Sequence, residues 1–315
     1  MLPKIAITMG DAAGIGPEII IKALQYVDVS RLLLIGNRDV FNKNEEILGI
    51  YLPENLEFLN IDYDISKIIC GKENAYSGEL AYLALKKACD LAKENKIVSI
   101  ATAPLSKNAM HLAGLNYSGQ TEVLQEELAQ NDNQAQMLFV AENLRILLLT
   151  RHIPLKDIPA KITPENIMKT VEILNSELIS KFKIKTPKIA MCALNPHAGE
   201  NGILGDEEIK VINPSILKIQ QKGIDIEGAF SADTLLGKAV LNFDMPKYDA
   251  YIACYHDQAL PAIKSLGLDK VLNITIGLSV LRSSPSHGTA FDIAYKNQAD
   301  FRSMLNSIKF LQNLL

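Results

Sequence analysis

Three of the five histidines in the chain follow apolar segments that are typical of buried strands. His152 comes after RILLLTR, His197 after KIAMCALNP and His256 after YDAYIACY. In an open α/β sheet the ligand crevice lies outside the carboxyl ends of the strands. Imidazoles at one such edge could bind a transition metal, with water or substrate in the remaining positions. Each histidine could instead only cap its strand or bond a carbonyl group, and the spacing matches no short zinc motif.

A lysine, an amide and an arginine follow the last of these histidines at nearly even intervals. Together Lys264, Asn273 and Arg282 could clamp a phosphate, because charged donors form strong hydrogen bonds with its oxygens. Taken singly, each cationic residue would be an ordinary solvent-exposed side chain.

Two glycine-bearing stretches could contact a ligand. MGDAAGIGPE, at residues 9–18, departs from the GxGxxG pattern of dinucleotide-binding turns. It indicates a tight strand-to-helix turn, or else its N–H groups and Asp11 border the crevice. SSPSHGTAFDIA, at residues 283–294, offers His287 and Asp292 among small residues. That stretch could hold a nucleotide, or it could cap a helix that begins near Ala290.

Strand-like and helical segments alternate along the chain and must position these residues. Helices are predicted from Pro17 to about Gln25 and over residues 77–95 and 121–130. Residues 135–154 read as two strands joined by a turn at Glu142 and Asn143. A further helix begins with Thr163 as N-cap and Pro164 at its first position. This alternation predicts α/β layers around a largely parallel sheet.

Composition limits the class of protein. The chain has 315 residues, enough for one large or two medium domains. Its net charge is −4 with no basic stretch, which argues against nucleic acid and an anionic membrane as partners. No apolar run reaches the ~20 residues that span a bilayer. The four cysteines are scattered without a CxxC pair, so we expect a cytoplasmic protein with reduced thiols.

Several long motifs together resemble one enzyme family. They are ITMGDAAGIGPEI, TAPLSK, YSGQTEVL, HIPLKDIP, CALNPHAGENGILGDEE, SADT, YHDQALPAIK and HGTAFDIA. In combination they resemble the 4-hydroxythreonine-4-phosphate dehydrogenases of the vitamin B6 pathway. HGTAFDIA is also similar to the adenosine-binding HGSAPDIA loop of isopropylmalate dehydrogenases.

The resemblance implies an α/β fold like that of isocitrate and isopropylmalate dehydrogenases, with two α/β/α domains and a cleft between them. The first domain would comprise residues 1–125 and 275–315 and bind the cofactor. The second, residues 126–274, would carry the metal ligands and the dimer interface. The active site of the implied homodimer would be shared between the subunits.

The resemblance also implies roles for individual residues. His152, His197 and His256 fall on the metal-ligand positions, and Asp233 and Asp257 on those of the catalytic carboxylates. The remaining implied positions bind substrate (Gln120, Thr121, Lys264, Asn273, Arg282) or cofactor (His287, Gly288, Thr289, Asp292).

The implied reaction is oxidation of 4-phosphooxy-L-threonine by NAD or NADP, followed by decarboxylation to 3-amino-2-oxopropyl phosphate. A divalent metal would assist it, with zinc expected and magnesium or cobalt as alternatives. A related dehydrogenase of a sugar-acid phosphate, such as phosphoerythronate or phosphothreonate, would share most of these motifs.

Two positions depart from the family pattern. Gln120 stands where the family usually has histidine in GHTE, and Ser286 stands where it usually has aspartate before HGTA. Gln120 can still donate a hydrogen bond, but it cannot carry a charge.

Overall fold

The structure is a computed structural model that describes residues 4–129 and 134–315. Strands and helices alternate along most of the chain, which confirms the predicted α/β class. The strands are β1 (Lys4–Thr8), β2 (Leu32–Gly36), β3 (Glu57–Asn60), β4 (Ile97–Thr102), β5 (Gln136–Ala141), β6 (Leu144–Leu148), β7 (Lys188–Cys192), β8 (Asp225–Phe230), β9 (Ala250–Ala253), β10 (Leu272–Ile276) and β11 (Leu281–Ser284). The α-helices are α1 (Gly16–Leu24), α2 (Arg38–Leu48), α3 (Ala75–Lys93), α4 (Lys107–Leu112), α5 (Gln120–Leu128), α6 (Pro164–Ser180), α7 (Asn213–Gln221), α8 (Ala232–Leu241), α9 (His256–Lys264) and α10 (Arg302–Asn313).

The chain divides into two compact units. Unit 1 comprises Met1–Ala135 with Leu278–Leu315, and unit 2 comprises Gln136–Gly277. The first limit lies ten residues beyond the one expected from the sequence, at 135 instead of 125, and the second lies three residues beyond, at 277 instead of 274. The assignment of cofactor and metal binding to separate domains stays a prediction.

Unit 1 is built on parallel strands in the order β3-β2-β1-β4-β11. Leu32–Gly36 is buried along its whole length, as expected for an apolar strand of a parallel sheet covered on both faces. Helix α1 follows β1 through the glycine-bearing turn, with Pro17 in its first turn, where the missing N–H costs nothing.

Unit 2 has the strand order β10-β5-β6-β9-β7-β8. β5 and β6 form the predicted hairpin, and β6, β9, β7 and β8 run parallel. Helix α6 begins as predicted, because the Thr163 side chain accepts a hydrogen bond from Asn166 N–H at 3.2 Å. The parallel strands β6, β9 and β7 are neighbours, so their carboxyl ends lie at one edge of this sheet.

The helix expected near Ala290 is not formed. Residues 291–297 are turns, and the next helix begins at Arg302. Ala290, Tyr295 and Asn297 have positive φ (43°, 62° and 56°), which a right-handed helix does not allow. Within the part of the chain that the structure describes, no helix is long and apolar enough to cross a membrane.

Candidate active site

Two of the three histidines predicted as metal ligands lie side by side in unit 2. His152 follows β6, and His256 is the first residue of α9, three residues after the end of β9. Their ring centroids are 5.4 Å apart and their planes are tilted by 44°. Because β6 and β9 are paired in parallel, the segments that follow them leave the sheet at the same edge. The structure thus brings His152 and His256 together.

An aspartate orients the second imidazole. His256 Nδ1 donates to Asp257 Oδ1 at 2.6 Å. A carboxylate on one ring nitrogen fixes the tautomer and leaves the lone pair of the other nitrogen for a ligand. Asp257 is the next residue in the chain, so this pairing is built into the first turn of α9. The arrangement prepares His256 Nε2 to bind a metal ion.

The spacing of the two rings fits a common metal ion. Imidazole nitrogens bind zinc at about 2.0–2.1 Å, which puts each ring centre about 3 Å from the ion and two rings about 5 Å apart in a tetrahedral site. Both side chains are at least partly exposed. Among residues 4–129 and 134–315, however, no group of three or more His, Cys, Asp or Glu side chains could hold an ion. His197 therefore does not complete a cluster with the other two histidines of its own chain.

His197 lies in a loop of unusual conformation after β7. Residues 197–201 all have positive φ, at 52°, 53°, 76°, 43° and 56°. Only Gly199 among them tolerates this conformation freely; for the other four it costs about 1–2 kcal/mol each. The segment NPHAGENGILGDEE, at residues 195–208, is rich in turn-forming residues, but its sequence does not predict the left-handed form.

Asp233, in the first turn of α8, is an exposed carboxylate. Ser231 Oγ donates to its Oδ1 at 2.6 Å. That hydrogen bond lowers the pKa of Asp233, and Thr234 N–H and the nearby His197 lower it further. Asp233 is therefore ionised at neutral pH and can accept a proton. Asp233 and His197 are close enough to interact electrostatically, so the structure associates this pair in addition to the pair of Asp257 and His256.

The predicted phosphate-binding residues fall in both units. In unit 2, Lys264 ends α9 and Asn273 lies on β10, paired with Phe139 of β5. Both side chains are partly buried. In unit 1, Arg282 lies on β11.

Three of the predicted substrate-binding residues lie around the carboxyl end of β4. Arg282 Nε donates to Thr102 Oγ1 at 2.9 Å, and Gln120 Nε2 donates to the Ala103 carbonyl at 2.9 Å. Thr121 follows Gln120 in the first turn of α5. Arg282 is only 5% exposed, and burial lowers its pKa to about 10, an effect that Glu122 opposes. The guanidinium is still cationic at neutral pH.

The predicted cofactor loop contains polar groups beside open space. Apart from its two chain neighbours, no described residue lies within 4 Å of a Cβ added at Gly288. His287 Nδ1 lies 3.1 Å from the Gly288 carbonyl, and its Nε2 is buried without a hydrogen bond among the described residues. Asp292 is exposed. A ligand that reaches Gly288 would meet no side chain directly above it.

The glycine-bearing turn before α1 supports this loop. Ile15 N–H donates to the Thr289 carbonyl at 3.0 Å, and a Cβ added at Gly14 would lie 2.8 Å from the same oxygen. Tyr295 Oη donates to the Ala12 carbonyl at 2.6 Å. From the sequence, residues 9–18 and residues 283–294 were separate candidates for ligand contact. In the structure these two stretches contact each other within unit 1.

Asp11, in the turn before α1, is a buried carboxyl group that the sequence did not mark as buried. It is 0% exposed, and its Oδ1 accepts from Ala13 N–H at 2.9 Å. Within residues 4–129 and 134–315, its Oδ2 is buried without a hydrogen bond of good geometry. Burial raises the pKa of Asp11 to about 6, although the Ala13 N–H and Ser77 lower it. Desolvation outweighs the hydrogen bonds.

Asp11→Asn is expected to change how stability depends on pH. An unfolded aspartate titrates near 3.9, whereas folded Asp11 titrates near 6, so the folded protein binds the extra proton between these values. The parent therefore loses about 3 kcal/mol of stability from this group as pH rises from about 4 to 6. Asparagine does not titrate, so the variant gains about that much relative to the parent over this range. Urea unfolding at several pH values measures it; parallel stability profiles would contradict the assignment.

Comparisons with known proteins define the family. A protein-family profile described as "Pyridoxal phosphate biosynthetic protein PdxA" matches residues 18–311. A D-threonate 4-phosphate dehydrogenase from Cupriavidus necator is 38% identical over 98% of this chain and 96% of its own length. A 4-hydroxythreonine-4-phosphate dehydrogenase from Trichlorobacter lovleyi is 37% identical over 99% of this chain and 97% of its own.

A solved structure has the same fold. The 4-hydroxythreonine-4-phosphate dehydrogenase of Klebsiella pneumoniae superposes with a TM-score of 0.87 at 32% identity, covering 99% of both chains. A dehydrogenase of this kind implies a nicotinamide cofactor. The resemblance predicted from the motifs is thereby confirmed: the chain belongs to the family described as pyridoxal phosphate biosynthetic protein PdxA.

Proposed function

We propose that the protein oxidises 4-phosphooxy-L-threonine with NAD or NADP in a divalent-metal-dependent reaction. The product, 2-amino-3-oxo-4-phosphooxybutanoate, then decarboxylates to 3-amino-2-oxopropyl phosphate, a step of pyridoxal 5′-phosphate biosynthesis. The family match over residues 18–311 carries this proposal. The strand-end histidines, the acidic side chains beside them and the cations support it.

A divalent ion would be held by His152 and His256, with His197 supplied by the other subunit of a cytoplasmic homodimer. The distance of 5.4 Å between the first two rings supports their part in this set. Zinc suits a set of neutral imidazoles, and magnesium or cobalt are the alternatives. When bound, such an ion lowers the pKa of the substrate hydroxyl as a Lewis acid.

The acidic side chains have separate tasks in this proposal. Asp257 holds His256 through its hydrogen bond of 2.6 Å, which keeps the Nε2 lone pair directed away from the carboxylate. The hydrogen bond from Ser231 lowers the pKa of Asp233 and keeps it ionised. Among the described residues, Asp233 has no hydrogen bond to an imidazole like that of Asp257. We therefore assign to Asp233 the task of accepting the C3 hydroxyl proton.

The phosphorylated end of the substrate is assigned to Lys264, Asn273 and Arg282, together with Gln120 and Thr121. Cationic side chains and amide N–H groups are the donors that phosphate oxygens prefer. Arg282 is already fixed by its bond to Thr102, so little side-chain entropy is lost on binding.

The nicotinamide cofactor is assigned to residues 287–292. Backbone can approach a ligand closely at Gly288, with His287 and Thr289 beside it. Asp292 could accept from a ribose hydroxyl. An unphosphorylated ribose suits a nearby carboxylate better than a 2′-phosphate, which favours NAD over NADP.

Gly288→Val is expected to weaken NAD binding by about tenfold or more without unfolding the protein. The added side chain meets only open space in the folded chain, so its cost falls on the bound ligand. Asp292→Ala should also weaken binding by removing one hydrogen bond, worth roughly 0.5–1.5 kcal/mol. Fluorescence titration with NAD measures both. NAD binding as tight as in the parent, in two folded variants, would place the cofactor elsewhere.

One assay tests the proposed function. Purified protein with a divalent metal and NAD is expected to form NADH from 4-phosphooxy-L-threonine. D-Threonate 4-phosphate should be assayed in parallel, because a D-threonate 4-phosphate dehydrogenase is 38% identical to this chain and a 4-hydroxythreonine-4-phosphate dehydrogenase is 37% identical. A kcat/KM that is higher for D-threonate 4-phosphate would overturn the proposed substrate but leave the reaction class. No NADH from either compound would overturn both.

A further inference from the structure

Glu208 is a buried carboxylate beneath the loop that carries His197. It is 2% exposed and belongs to a π-helical turn, Glu208–Ile212, that leads into α7. Its Oε1 accepts from the backbone N–H groups of Leu194 and Asn195, both at 2.8 Å. Its Oε2 accepts from Asn195 Nδ2 at 3.0 Å. One carboxylate thus satisfies three donors just ahead of His197.

The same carboxylate packs against the left-handed turn. A Cβ added at Gly199 would lie 2.7 Å from Glu208 Oε2 and 2.7 Å from the Gly205 carbonyl. Gly199 is also buried, at the centre of the run of positive φ. The turn and the carboxylate therefore fit each other closely on the side away from solvent.

This contact explains how an unfavourable backbone persists. Four residues other than glycine, two on each side of Gly199, adopt the left-handed conformation, which a free peptide rarely does. Such conformations persist only where the surrounding structure fixes them, and they are concentrated at functional sites. Hydrogen bonds to a charged acceptor are stronger than bonds between neutral groups. Glu208 is thus suited to anchor the loop at its first residues.

We propose that Glu208 is a positioning residue that holds residues 194–201 in the form that presents the His197 imidazole to a divalent metal ion. The inference rests on the proposed metal role of His197. Glu208 itself does not touch the ion or the substrate; it acts through the backbone of Leu194 and Asn195. Groups that orient a metal ligand in this way typically change metal affinity about 10–100-fold when they are replaced.

The test compares Glu208→Gln with Glu177→Gln. Glu177 is a matched control, because it is also buried (6% exposed) and accepts a hydrogen bond from Lys181, the residue that follows α6. Glutamine keeps the size of the side chain but loses the charge and one acceptor oxygen. Amide hydrogen exchange of residues 193–205 and the Kd for Co²⁺, titrated by visible absorption, are the two measurements. For Glu208→Gln we expect faster exchange and a Kd raised about tenfold or more. The control should keep parental values, and NAD affinity should be parental in both variants.

Parental exchange and parental Co²⁺ affinity in Glu208→Gln would overturn the positioning role. If Glu208→Gln does not fold, Glu208→Asp provides the test, because it keeps the charge but shortens the side chain that reaches the N–H groups of Leu194 and Asn195. His197→Ala separates this inference from the proposed function. Co²⁺ affinity that is unchanged in His197→Ala would refute the metal role of His197, whereas faster exchange in Glu208→Gln would still show that Glu208 orders the loop.

Discussion

Replacing His256 with alanine is expected to lower kcat/KM for 4-phosphooxy-L-threonine by about a thousandfold or more and to remove most of the bound metal. Lewis-acid assistance contributes several kcal/mol to such a reaction, and each 1.36 kcal/mol is a factor of ten in rate. The variant removes the imidazole that the Asp257 carboxylate orients at 2.6 Å and that lies 5.4 Å from His152. Elemental analysis and steady-state kinetics on the same preparation measure both effects.

His111→Ala is the matched control for this experiment. His111 is an exposed histidine on α4 and has no part in the proposed site. Its replacement should leave metal content and turnover at parental levels. Full metal occupancy and normal turnover in a folded His256→Ala variant would show that His256 is not a ligand.

A mixture of two inactive variants tests whether the site is shared between subunits. His256→Ala and His197→Ala, denatured and refolded together, form about half heterodimers if exchange is random. In each heterodimer one site lacks both histidines and the other lacks neither. The mixture should therefore regain about one quarter of the parental activity. A mixture as inactive as the separate variants would place all three ligands in one subunit.

Local rules predicted the elements of the fold well. The start of α6 is set by Thr163 as its N-cap and by Pro164 at its first position. Both signals lie within four consecutive residues, so a short sequence window predicts this helix start. The hairpin at Glu142 and Asn143 is similarly local. The missing helix near Ala290 shows the limit, because its residues have ordinary helix propensity but the chain there adopts positive φ. Contacts with the distant turn at residues 12–15 accompany this conformation, and a sequence window does not contain them.

The part of the site that lies at the carboxyl ends of strands was predictable from the sequence. His152 and His256 could be placed together because each follows a strand and parallel strands end at one edge. The burial of Asp11 and the reach of Glu208 back to Leu194 were not predictable. Both depend on how a side chain packs against residues far along the chain or across a loop. Carboxylates are usually exposed, so composition alone favours the opposite expectation.

Arg282→Ala is expected to raise the KM for 4-phosphooxy-L-threonine about tenfold or more and to leave the KM for NAD unchanged. A charge-assisted hydrogen bond contributes roughly 1.5–3 kcal/mol, and a guanidinium can donate two such bonds to the same phosphate group. Arg282 is 5% exposed and its Nε is held by Thr102 at 2.9 Å, so the cation is fixed before substrate binds. Gln120 donates a hydrogen bond to the carbonyl of Ala103, the residue next to Thr102, but its neutral amide cannot replace the lost charge.

Two further variants show whether this effect belongs to the phosphate. Arg302→Ala removes an exposed arginine of the same unit that is paired with Asp300, and it should leave both KM values at parental levels. Arg282→Lys keeps the charge but loses the planar pair of donors, so its KM for substrate should lie between those of the parent and Arg282→Ala. Because Arg282 is buried, the Tm of each variant must be measured to separate binding from folding. A substrate KM within twofold of the parent in a folded Arg282→Ala variant would remove Arg282 from the phosphate site and leave its bond to Thr102 as a purely structural contact.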